Sequence, residues 1–87
     1  MPIAFPNASR SYDTTRGAVR FWGHDSAMET SFYVSVDALR SLDPSASSGE
    51  ETILRAFDTN RSLIHKIAAK LYARGRKGSY DLQASDF

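Results

Sequence analysis

The sequence predicts an α+β domain in which a small antiparallel sheet is covered by one long C-terminal amphipathic helix. Three observations carry this. Apolar and polar residues alternate over about 18–24 and again over 28–36, the period of a half-buried strand. Residues of about 50–74 keep one apolar stripe at helical spacing. The chain has 87 residues, enough for a single domain, 1–87, with one core. A chain of this size buries only about 60–65 % of its unfolded surface, so sheet and helix must cover each other.

The elements follow in order. Ile3 and Phe5 lie between Pro2 and Pro6, so a strand there is short and at an edge. Asn7 to Arg10 is turn-like, and Ser11-Tyr12-Asp13 forms a second short extended piece. The hairpin is the clearest local signal. Val19 and Phe21 alternate with Arg20 and Trp22, and Thr30, Phe32 and Val34 alternate with Glu29, Ser31 and Tyr33. A two-residue loop at Asp25-Ser26, or a four-residue loop at His24 to Ala27, places Phe21 opposite Thr30 and Val19 opposite Phe32. It also places Arg20 opposite Ser31 and Trp22 opposite Glu29. Both faces are then self-consistent, as opposed residues must be.

Asp37 opens a short helix with Leu39 and Leu42 on one side, and Pro44 stops it. Ser45 to Gly49 is a small-residue connector. Ser48 and Glu51 have capping-box spacing, and Glu50 adds negative charge to the first turn of the long helix. Ile53, Phe57, Ile64, Ile67, Ala68 and Leu71 share one phase, so a continuous helix is the simplest reading. Asn60 falls on its inner stripe, as a buried polar residue or as a break near Asp58-Thr59-Asn60. Gly75 suits a left-handed C-cap. Tyr80-Asp81-Leu82 reads as a short last strand, and Ser85-Asp86-Phe87 as a loose terminus.

Composition bounds function more than it reveals it. The 11 basic and 10 acidic residues give a net charge of +1, which offers no global attraction to nucleic acid or anionic membrane. There is no cysteine, which removes disulfides, cysteine-based metal sites and thiol chemistry and points to the cytoplasm. The first residues lack the basic and apolar regions of a signal peptide, and no apolar run reaches membrane-spanning length. Charge is nevertheless uneven. Residues 61–77 carry six basic residues and no acid, whereas residues 1–60 carry five basic and eight acidic ones.

Three places could hold chemistry. Arg61, Lys66, Lys70, Arg74, Arg76 and Lys77 form a basic helix end that could contact phosphates. The same residues also suit a solvated helix face and the helix dipole. Arg20, Trp22 and Tyr33 gather on the outer face of the hairpin, and these residue types are enriched at interface hot spots. They also serve as cross-strand neighbours, or lie under another segment such as Tyr12 or Leu82. His24 and Asp25, with Glu29 nearby, combine a base with carboxylates, but an exposed turn supplies no orienting third group. We therefore assign no catalytic residue, no metal and no cofactor. The expectation is a non-enzymatic domain that binds another protein or a second copy of itself through the hairpin's outer face. Weak nucleic-acid binding through 61–77 is the alternative.

A family resemblance emerges once hairpin and helix are in place. It is carried by Tyr12-Asp13, the run Val19 to Asp25, Phe32-Tyr33-Val34, Ala38-Leu39 and Leu42. Phe57, Asn60-Arg61, Ile64, Ala68 and Tyr72-Ala73-Arg74-Gly75 continue it in order. Over about Pro6 to Phe87 the chain resembles a family of small bacterial proteins catalogued as domain of unknown function 1488. The resemblance implies a compact α+β fold, a bacterial cytoplasmic setting and a helix continuous through Asn60. It implies no activity, substrate or cofactor, and no functional residue is transferred.

Overall fold

A computed structural model describes residues 3–6, 9–46, 49–75 and 79–87. The described elements are β1 (Arg10–Asp13), β2 (Ala18–Asp25), β3 (Met28–Ser35), α1 (Val36–Leu42), α2 (Glu50–Thr59), α3 (Arg61–Arg74) and β4 (Ser79–Leu82). A single 3₁₀ turn, Ala84–Asp86, follows. The four strands form one sheet in the order β1-β2-β3-β4. The first three are antiparallel neighbours, and β4 adds parallel to β3. The sheet is thus mixed, because three helices intervene between β3 and β4 and return the chain in the same direction.

The hairpin spans the expected stretch, Ala18–Asp25 and Met28–Ser35, but its register is shifted by two residues. Phe21 faces Phe32, Val19 faces Val34, Arg20 faces Tyr33 and Trp22 faces Ser31. An even shift leaves every side chain on its expected face, so the hydrophobic alternation cannot distinguish the two registers. The turn decides. Ser26 has φ 56 and Ala27 does not have positive φ, the pattern of a two-residue type II′ turn. Asp25 therefore belongs to the strand, paired with Met28.

The inner face carries Val19, Phe21, Phe32, Val34, Tyr80 and Leu82, and these join Ala38, Leu39, Ile53, Ala56, Phe57, Ile64, Ala68 and Tyr72 in one buried cluster. All three helices pack on that face. Phe21 and Phe32 stack with centroids 5.4 Å apart, and Phe57 meets Phe21 at 5.3 Å.

The C-terminal helix is two helices, not one. At Asn60 the backbone leaves helical geometry (φ −108, ψ 18). The Asn60 side chain donates to the Ala56 carbonyl at 2.9 Å, and the Asn60 N–H reaches the Ala56 and Phe57 carbonyls together. An asparagine amide that competes for the carbonyl four residues back offers the chain an alternative to the regular ladder. The Asn60 carbonyl then accepts from Ile64 N–H at 2.9 Å and starts α3. Asp58, beside the break, accepts a two-pronged bond from Arg10 (2.9 and 2.8 Å) and another from Arg61 at 2.7 Å. The junction is thereby fastened to β1.

Several caps also differ from expectation. Ser35, not Asp37, caps α1, its Oγ accepting from Ala38 N–H at 3.0 Å, and Val36 belongs to the helix. Gly49 occupies the N-cap of α2 without a side-chain bond, while the expected cap, Ser48, lies outside the described residues. Gly75 has φ 170, an extended backbone and not a left-handed cap. The terminus is anchored: the Asp86 carboxylate accepts from Gln83 N–H at 2.7 Å, and Phe87 packs against the core.

Phe57→Ala and Phe32→Ala each remove a fully buried ring. Each is expected to cost about 3–5 kcal/mol, read as a fall in urea midpoint at constant m-value.

Candidate functional site: the open face of the sheet

With every described helix on one side, no described segment covers the other face of the sheet. Strand alternation places Arg20, Trp22 and His24 of β2 there, with Glu29, Ser31, Tyr33 and Ser35 of β3 and Asp81 of β4. None of these joins the core cluster. Arg20, Trp22 and Tyr33 come together as expected, and all three are half-buried.

Two guanidiniums layer this patch. The Arg20 guanidinium lies 5.1 Å from the centre of the Trp22 ring and 5.8 Å from that of Tyr33. Its Nη2 donates to Ser31 Oγ at 2.9 Å. Its Nε is enclosed and has no hydrogen-bond acceptor among the described residues, a cost of holding the group between rings. Arg16, from the β1–β2 turn, lies closer still, 4.0 Å from the centre of the Tyr33 ring, and reaches Asp81 at 3.6 Å. Arginine on aromatic faces is attracted by the ring quadrupole and covers the ring with its own planar group. Tyr12 and Leu82, the alternative covers, face the core side: Tyr12 opposes Val19 and Leu82 is fully buried.

Arg16 escaped the sequence reading. Its position is set locally, since Asp13 Oδ1 accepts from the Thr15 and Arg16 N–H groups at 3.0 and 3.1 Å. Gly17 then turns the chain at φ 62. The Asp-x-x-x-Gly signature of such a turn was the available signal. Beside Tyr33 and Arg16 a groove of about 710 Å³ opens, bordered by Asp37 and Arg40 of α1 and by Asp81. Open face and groove are continuous through Tyr33.

The candidates His24 and Asp25, and the second histidine, His65, each have a structural neighbour. Asp25 is no exposed turn residue: it is only 8 % exposed and accepts the Tyr72 hydroxyl of α3. His24 pairs across the hairpin with Glu29 at 3.6 Å. His65 stacks on Phe5, centroids 4.2 Å apart and 11° from parallel. Among the described residues no group of three His, Cys, Asp or Glu side chains could hold a metal.

The basic set of α3 is divided. Arg61 is engaged with Asp58 and lies 4.9 Å over the Phe57 ring. Lys66, Lys70 and Arg74 stand exposed along the outer side, and Arg76 and Lys77 lie outside the described residues. Among the described residues no helix is long and apolar enough to cross a membrane.

An open-faced, four-stranded α+β domain with an arginine–aromatic layer on its free face is the class these features define. Residues 3–83 match the family described as Protein of unknown function (DUF1488), and the chain belongs to that family. A crystal structure of a protein of unknown function from the same family, from Shewanella loihica PV-4, shares the fold with a TM-score of 0.83. The two are 21% identical, over 93% of this chain and 91% of that one. No curated protein matches the chain.

Burial holds the His65 imidazole below its ordinary value near 6.5, and the Arg61 charge adds to the effect. The unfolded chain then binds the proton more readily than the folded one. Stability from this site is complete above about pH 6.5 and falls as the pH drops toward the depressed folded value. Urea midpoints across this range should show the decline in wild type and a smaller one in His65→Phe.

Proposed function

We propose that this protein is a non-enzymatic, cytoplasmic domain that acts by binding another protein through the open face of its sheet. The observation that carries the reading is the half-buried layer of Arg20, Trp22 and Tyr33, completed by Arg16. Large aromatics and arginine dominate binding energy at protein interfaces, and here the rings are already held in place. Occupation of Asp25, His24 and His65 by structural partners supports a role in binding over one in catalysis. The face carries both signs of charge, Arg16 and Arg20 beside Glu29 and Asp81, which suits a second copy of the chain as partner. A second reading, weak nucleic-acid binding, is favoured by the exposed row Lys66, Lys70 and Arg74.

Light scattering after size exclusion tests the main reading. Wild type should exceed the monomer mass as concentration rises, and Trp22→Ala should weaken association by about 2 kcal/mol, roughly 30-fold. A wild type that stays monomeric at its solubility limit would remove self-association. Titration of labelled single- and double-stranded DNA and RNA tests the second reading. Binding should weaken steeply with salt and be lost in Lys70→Glu with Arg74→Glu.

A further inference from the structure

The segment Ile3 to Phe5 is joined to the sheet at one residue. Ala4 and His24 exchange both backbone bonds, at 2.9 and 2.7 Å, on the same edge of β2 that β1 occupies further along. Between Ala4 and Arg10 the chain takes six steps, while β2 takes three between His24 and Phe21. The segment is therefore a separate strap and not a continuation of β1. The start of β1 is pinned independently by the Arg10–Asp58 pair, so the strap can leave without unravelling the strand.

Beneath the strap is a shaped slot. Gly23 lacks a side chain where one would collide: a Cβ there would lie 2.8 Å from both Ile3 Cδ1 and the Phe5 ring. The Phe5 ring enters between Phe21 (6.0 Å), Phe32 (5.5 Å) and the stacked His65. Yet Ile3 and Phe5 are only partly buried. Strand pairing at the middle residue, with side chains of the flanking residues entering the same slot, is the geometry of strand addition.

We infer that this slot is a docking site for an extended aliphatic–small–aromatic segment of a partner protein, and that residues 3–5 are its intramolecular occupant. A partner segment must displace the strap, so the strap sets the threshold for binding. The chemistry of the ligand follows from the occupant: an aliphatic side chain over Gly23, a small residue paired to His24, and an aromatic ring against His65. The inference is independent of the open-face reading, since Trp22 and Tyr33 take no part.

Two full-length variants release the strap differently. Phe5→Ala removes the ring, and Ala4→Pro removes the N–H that His24 accepts. Each is titrated with the capped peptide acetyl-Ile-Ala-Phe-Pro-amide and followed by NMR at the Gly23 and His24 amides and the His65 ring. Saturable shifts are expected in a variant that folds, at least tenfold tighter than in wild type, and absent when alanine replaces the peptide's phenylalanine. Variants that unfold cooperatively yet ignore the peptide would overturn the inference. So would failure of both to fold, which would make the strap part of the core and not a replaceable occupant.

Discussion

Phe21 and Phe32 face each other across the two central strands, and the rest of the fold is arranged around that pair. The two-residue turn at Ser26-Ala27 sets the register that brings them opposite each other. The stacked rings form the floor on which Phe57 descends from α2 and against which Tyr80 stacks from β4 at 5.0 Å. Phe5 closes the same cluster from the strap. In so short a chain, a few aromatic rings supply a large part of the buried apolar area, so their mutual geometry dictates where each element can lie.

One consequence is the free face. Because all the buried helical side chains converge on one side of the sheet, the opposite side must be made compatible with water by other means. Arginine does this. Arg16 and Arg20 cover the apolar rings of Tyr33 and Trp22 while presenting charge outward. The face is neither a second core nor a bare apolar patch, and it gives the molecule an ordered surface beside a groove. A different economy governs the polar groups of the interior. The hydroxyl of Tyr72 meets Asp25 and that of Tyr80 meets the Gly75 carbonyl at 2.8 Å, so both rings bury without stranding their oxygens.

The break at Asn60 shows how one side chain redirects a long pattern. The apolar stripe runs through it in phase: Ile53 and Phe57 before, Ile64 and Ala68 after, all fully buried. Periodicity therefore reads as one helix. What it does not register is that Asn60 takes the Ala56 carbonyl with its own amide and that Asp58 is drawn to Arg10 on β1. The stripe faces the core on both sides of the break, and the Arg10–Asp58 bond ties the helix junction to the sheet edge.

The alternation of side chains, the two amphipathic stretches and the aromatic outer face were all legible in the sequence, because they are local periodicities that survive any global arrangement. Tyr80-Asp81-Leu82 was likewise readable as a strand. Other features depend on partners distant in sequence. The parallel placement of β4 rests on the path of three helices, and the burial of Asp25 rests on Tyr72, 47 residues away. Arg16 became part of the site only because a turn carries it over Tyr33. The strap at Ile3 to Phe5 gained its slot from Gly23 and His65 together. The sequence by itself determined which side of each element is apolar. The tertiary structure alone decided which element each side meets, since that choice is made by long-range contacts whose free energy exists only when the whole core closes.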